Sequence, residues 1–296
     1  MNQVASPASE GEPNRQTQLS REVLDFARTV RDAVHEDQLT LPTLPDTALR
    51  VNAIVSDPEG AIVDLVRAIS SDPAIAIRVM QSANSVYAAG AVQIDSLQMA
   101  VTRLGMQYTR TLVTRLTLAG LFRARSGPLL RFARVVWKES LQVAALSQLL
   151  ARERTEVHPE EAMLGGLLHM VGSLPIIGMA DRMHELAGHH EDIVNVIRIL
   201  QPEIGYYLLA EWGFAEPLRA CAWVCRDPWR SHEGATDPGD IAIVARKLLA
   251  LEFLRPLPSD AALPAFERLR LPSLACLEDL PDFQRAFDGA LQTLTQ

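Results

Sequence analysis

The stretch Gly165-Gly-Leu-Leu-His-Met-Val-Gly172 decides how the rest of the chain is read. An apolar run carries a histidine, His169, then a methionine, Met170, and closes on a glycine able to end a helix. Upstream, His158-Pro-Glu-Glu161 puts acidic side chains where a helix N-terminus favours them, so a helix is predicted from there to Gly172. Between Leu167, Leu168 and Val171 the His169 ring is expected to be buried, neutral and hydrogen-bonded to backbone, because an unpaired buried ring is costly.

Outward from this run, helical periodicity dominates and strand alternation is scarce. Val23, Phe26, Ala27 and Val30 form a first apolar stripe. Leu41-Pro-Thr-Leu-Pro45 then breaks the chain, and the pairs Asp57-Pro58 and Asp72-Pro73 each suit a helix start. Between them Ile62, Leu65, Val66 and Ile69 make a short amphipathic helix. Further stripes run through Leu97 to Leu104, stopped by Gly105, through Leu112 to Phe122, and through Phe132 to Leu150. Another helix begins near Gln201 and continues through Ile204, Leu208 and Trp212 to Gly213; one more starts at Pro217, and one carries Ile241, Val244 and Leu248. The pattern is that of an all-α helical globule. Trp137 and Trp212 fall on apolar stripes and are expected in the core, while Trp223 and Trp229 flank a turn at Asp227-Pro228 and are candidates for a contact surface.

Of 296 residues, 48% are hydrophobic and 22% charged, ample for a sizeable core. No window holds the roughly 18 to 20 uninterrupted apolar residues of a membrane span, so no membrane insertion is expected. Residues 1–18 lack a basic region followed by an apolar stretch and read as a disordered leader. The three cysteines show no metal-type spacing and point to a reducing cytoplasm, with Cys221 and Cys225 as buried thiols on one helix. His184, His189 and His190 lack the i, i+4 spacing that stacks two rings on a helix face, and read as solvated loop residues. A net charge of -8 disfavours nucleic acid as a partner. Against that balance, Gln98 to Lys138 contains no acidic residue but carries Arg103, Arg110, Arg115, Arg123, Arg125, Arg131, Arg134 and Lys138. Arg131, Arg134 and Lys138, spaced i, i+3, i+7, share one side of a helix. This basic block is the candidate partner-binding surface; its alternative fate is pairing with surplus carboxylates such as Asp64, Glu153 and Glu156.

The ordered set of LPTLP, two SDP motifs, Gln81-Ser-Ala-Asn-Ser85, Ala100 to Val113, VWKES around Trp137, AMLGGLLHMVG around His169 and QPEIGYYLLAEWG resembles the HDOD family, the HD-related output domains of bacterial signalling. The resemblance implies an N-terminal helical lobe (about 19–125) packed on a degenerate HD-like helical lobe (about 126–254), with residues 255–296 as a C-terminal helical extension. It also implies descent from phosphohydrolases in which a His-Asp dyad and further imidazoles and carboxylates hold divalent metal, which lowers the pKa of a bound water. Here that dyad reads His169-Met170, and a thioether does not replace a carboxylate for a hard metal. The earlier ligand position falls near Lys138 and Glu139; Gln201 stands where a histidine often precedes a helix; Val224 and Cys225 stand for a His pair; Arg246 falls near a late aspartate.

With so many ligand positions replaced, no metal, no cofactor and no catalysis are expected. The resulting reading is a regulatory signal-transduction output protein working through protein–protein contact with signalling proteins such as a sensor, a response regulator or a cyclic-dinucleotide pathway enzyme. Two readings compete with it: a cryptic metal-dependent phosphodiesterase or nucleotide hydrolase, and a nucleotide or nucleic-acid binder using the 98–138 block.

Overall fold

The computed structural model describes residues 21–35, 42–86, 94–122, 127–183, 186, 189–249, 263–271 and 283–295. The expected leader, Arg123, Arg125 and His184 lie outside the described residues, as do the side chains of His190 and Cys225. Among the described residues the regular elements are helices throughout. They are α1 (Arg21–His35), α2 (Asp46–Ser56), α3 (Ile62–Ser70), α4 (Pro73–Val86), α5 (Leu97–Leu104), α6 (Met106–Leu121) and α7 (Gly127–Arg154). There follow α8 (Pro159–Leu168), α9 (Ser173–Ala180), α10 (His190–Glu211), α11 (Glu216–Ala220), α12 (Pro238–Leu249), α13 (Pro264–Arg268) and α14 (Phe283–Thr295).

Local chemistry sets most helix starts. Asp72 Oδ1 accepts from the amides of Ala74 (3.0 Å) and Ile75 (3.1 Å), so Asp72-Pro73 opens α4 as expected. Ser96 Oγ accepts from Met99 N (3.2 Å) at α5, and His158 Nδ1 accepts from Glu160 N (3.2 Å) at α8. Asp57-Pro58 behaves differently: Asp57 caps the end of α2, and its Oδ1 accepts from Glu59 N at 2.9 Å, which fixes a turn before α3. Gly105, at φ 80°, both ends α5 and precedes α6, a conformation open to glycine without steric cost.

Helices α2 to α6 pack on one another, while α1 leaves the expected first lobe and lies chiefly against α10 and α9. One continuous core therefore runs from Val23 and Phe26 through Leu65 and Leu118 to Leu167, Met170 and Ile204. A second cluster joins the C-terminal half of α7 to α8, α12 and α13 through Leu146, Leu150, Ala162, Ile241, Val244 and Leu263. Each such side chain contributes about 1.5–3 kcal/mol on burial. A latch ties α2 to the end of α10: Asn52 Nδ2 donates to the carbonyls of Trp212 (3.3 Å) and Gly213 (3.0 Å).

The central helix α8 explains the opening motif. A Cβ on Gly166 would lie 2.6 Å from Ala144 Cα of α7, and one on Gly165 would lie 2.8 Å from Cys221 Sγ and 3.2 Å from Pro238 Cβ. The glycine pair thus lets backbones close on α8 from two sides. The helix ends at Leu168, earlier than expected; His169 to Gly172 form turns before α9. The stretch Pro159–Ala180 is long and apolar enough by composition to cross a membrane, but 89% of its apolar window is buried inside the protein.

Two further expectations are corrected. Helix α10 starts at His190 and runs through Pro202, because Ile193, Val196, Ile197, Leu200, Ile204 and Leu208 form one unbroken buried stripe whose burial outweighs the proline. Cys221 and Cys225 do not share a helix: α11 stops at Ala220, a turn follows, and Trp223–Cys225 is a 3-10 segment.

Candidate functional site

His169 closes the C-terminal end of α8 with none of its surface exposed. Its Nδ1 lies 2.6 Å from the Gly166 carbonyl. A carbonyl only accepts, so Nδ1 carries the hydrogen. Burial, and secondarily the charge of Arg246, push the His169 pKa down to about 3, against a raising effect of the Gly166 bond. The expected buried, neutral histidine is what the structure places there. Met170 is equally buried, and Ser173 Oγ donates to its carbonyl at 2.6 Å.

The other positions that the resemblance singles out lie on α7, α10, the 3-10 segment and α12. Gln201 is fully buried on α10, and neither its Nε2 nor its Oε1 has a hydrogen-bond partner among the described residues. Gly172 makes this approach possible, since a Cβ there would lie 2.0 Å from the Gln201 carbonyl. Val224 is buried, and its carbonyl accepts from Arg246 Nη1 at 2.9 Å. On α7 the two residues near the earlier ligand position part company: Lys138 faces solvent, while Glu139 is 6% exposed.

Arg246 changes the chemistry of the centre. Its guanidinium is 5% exposed, permanently charged, and near enough to His169 to lower that ring's proton affinity. The side chains at these positions are one imidazole, a thioether, an amide, a fixed cation and the single carboxylate of Glu139. Among the described residues, no three His, Cys, Asp or Glu side chains converge at His169. The donor set does not fit a hard divalent metal.

Such a convergence does occur elsewhere, at His232, Asp237 and Asp240, which the sequence reading missed. His232 Nε2 lies 3.0 Å from Asp240 Oδ2, Arg230 Nη1 donates to Asp237 Oδ1 at 2.9 Å, and Arg268 Nε lies 3.9 Å from Asp240 Oδ2. The amides of Asp237 and Asp240 each donate to the other's carboxylate, at 3.2 and 2.9 Å. Two guanidinium groups already balance the two carboxylates. The cluster closes the N-terminus of α12 and binds it to α13.

The basic block does not form one face. Arg110 and Arg115 are buried, 6% and 9% exposed, and Arg103 is half-buried. These three correct the expectation of a shared surface. Arg115 Nη1 donates to the carbonyls of Thr293 (3.4 Å) and Leu294 at the end of α14. Burial lowers the Arg110 pKa, with Glu161 opposing it. Arg131, Arg134 and Lys138 do lie exposed on one side of α7, and among the described residues none of them makes an ion pair. Asp64 pairs instead with Arg67 at 2.7 Å. Trp212 is in the core, its Nε1 donating to the Pro42 carbonyl at 3.1 Å, and Trp137 stacks on Phe122 at 5.4 Å. Trp223 is half-buried beside Tyr206 and Arg226, and Trp229 is 40% exposed.

The described residues form an all-helical fold with a buried histidine, His169, at its centre. The HDOD domain model matches residues 41–227, and the chain belongs to the HDOD family. Solved structures share the fold. One, from Shewanella amazonensis SB2B and named "Putative metal-dependent phosphohydrolase", has 22% identity and a TM-score of 0.72, covering 93% of this chain and 100% of that one. An HDOD domain protein with unknown function from Geobacter sulfurreducens has 22% identity and a TM-score of 0.64, covering 92% and 98%. A "Putative signal transduction protein" from Marinobacter aquaeolei VT8 has 23% identity and a TM-score of 0.64, covering 92% of this chain and 67% of that one. No curated protein sequence matches significantly.

Proposed function

We propose that this chain is a non-catalytic signalling output protein of the bacterial cytoplasm, acting by contact with another signalling protein. The observation that carries the reading is Arg246, a buried guanidinium beside His169 in the centre where HD hydrolases hold metal. Metal-assisted hydrolysis needs several anionic or neutral ligands around an ion; Met170, Gln201 and Val224 offer none of the required carboxylate or imidazole groups. A frame kept rigid without its reactive centre suits recognition.

The contact surface in this reading is the exposed side of α7. Arg131, Arg134 and Lys138 flank Val135, which is 37% exposed, so a cationic row surrounds an apolar spot. On a chain of net charge -8 that row steers an acidic protein surface and raises its on-rate, most strongly at low salt. The test is site-specific photo-crosslinking from position 135 in the native cell, with the native row and with Arg131→Glu, Arg134→Glu and Lys138→Glu combined. The native row is expected to yield one dominant crosslinked protein, and the reversed row to lose it. Identical crosslinking from both, in variants that fold, defeats this surface.

A further inference from the structure

Arg115 stands between two adjoining cavities that the signalling reading does not use. The larger, about 420 Å³, is lined by α6, α7, α8 and α14, with Tyr108, Gln148 and Arg152 on its wall. The smaller, about 220 Å³, opens beside α4, where Arg78 lines it. Leu112, Arg115 and Thr293 belong to both.

Their chemistry is one-sided. Arg78, Arg115 and Arg152 line the pair of cavities and no Asp or Glu does. Among the described residues none of these arginines makes an ion pair within 4.0 Å. Glu160 lies behind Gln148, whose Nε2 donates to its Oε1 at 2.8 Å; burial raises that carboxyl's pKa, opposed by the Gln148 bond and the charge of Arg152. Burial lowers the Arg115 pKa, Tyr108 opposes that shift, and Arg78 adds to it as a like charge. Cations gathered at a cavity wall that no carboxylate lines attract an anion, and the planar guanidinium fork matches phosphate oxygens in pairs. Tyr108 and Gln148 add hydrogen-bonding groups, and Leu112, Met163 and Leu294 give an apolar floor. Volumes of this order suit small ligands, whose sites run to roughly 300–1,000 Å³.

We infer that the paired cavity binds a phosphate-bearing small molecule of nucleotide size, with phosphate on Arg115 between Arg152 and Arg78 and its body against Leu112, Met163 and Leu294. Arg115 also holds the last carbonyls of α14, so ligand and C-terminal helix meet at one side chain. The site gives the protein a route by which a soluble metabolite adjusts its surface, independent of the metal question.

Titration calorimetry of the full chain tests this with inorganic phosphate, pyrophosphate, 5′-AMP and 5′-GMP as probes. Arg78 and Arg152 both face solvent, so Arg78→Ala and Arg152→Ala, singly and combined, are expected to keep the fold, checked by an unchanged melting temperature without ligand. The expected result is saturable binding of a nucleotide at one site per chain, tighter than phosphate, and weakened at least about tenfold in the double variant. No saturable binding by any probe overturns the inference. So does a nucleotide affinity unchanged in the double variant.

Discussion

At the scale of residues, His169 and Arg246 are two halves of one electrostatic arrangement. The folded ring resists protonation down to about pH 3. In the unfolded chain a histidine takes its proton near pH 6.5, so the unfolded state binds the extra proton first as pH falls. The associated stability is therefore complete above about pH 6.5 and declines between about 6.5 and 3, at up to about 1.4 kcal/mol per pH unit. Urea denaturation across that range should show the decline in the native protein, and His169→Leu should flatten it; equal slopes in both would place the titration elsewhere. Arg246→Met removes the only described donor to the buried Val224 carbonyl and should cost about 1–3 kcal/mol. It should also raise the His169 pKa, readable by NMR titration of the ring. The burial of His169 was legible from its apolar neighbours, because four residues on either side settle such an environment. The role of Arg246 was not: an arginine on a late helix gives no hint that its cation turns inward.

At the scale of elements, backbone contact at α8 decides tolerance. Gly166→Ala sets a methyl 2.6 Å from Ala144 Cα, a backbone atom that has no rotamer to yield, so α7 and α8 must part. A loss of about 1–3 kcal/mol is expected in thermal unfolding. Gly178→Ala, on α9 with nothing within 4 Å, should instead stabilise by about 0.5–1 kcal/mol through helix propensity. If both variants behave alike, the crossing is looser than its geometry. Helix identities followed readily from apolar spacing, and Asp72, Ser96 and His158 act as caps by local chemistry that any sequence displays. Register across Pro202 was harder, since local propensity argues for a break there and only tertiary burial of Ile197, Leu200 and Ile204 overrides it. The basic block divides between buried and exposed residues for a related reason. Charge counted along a chain does not say which helical face is buried, and α6 turns Arg110 and Arg115 inward while α7 turns Arg131, Arg134 and Lys138 out.

At the scale of the whole molecule, one core joins α1 through α11 to the end of α14, and a second gathers α7, α8, α12 and α13. The all-α class and the HDOD resemblance were legible because helical apolar spacing and short ordered motifs are local features of the sequence. The cavity at Arg115 was not legible, because α4, α6, α7 and α14 meet there from distant parts of the chain. The account as a whole stands on the absence of a working metal centre. Elemental analysis by plasma mass spectrometry, on protein produced with added manganese and iron and purified without chelators, addresses it most directly. Less than about 0.1 divalent ion per chain is predicted, since structural and catalytic sites bind far more tightly than a wash removes. One ion per chain, lost in His169→Ala together with hydrolysis of a cyclic dinucleotide, would contradict the account.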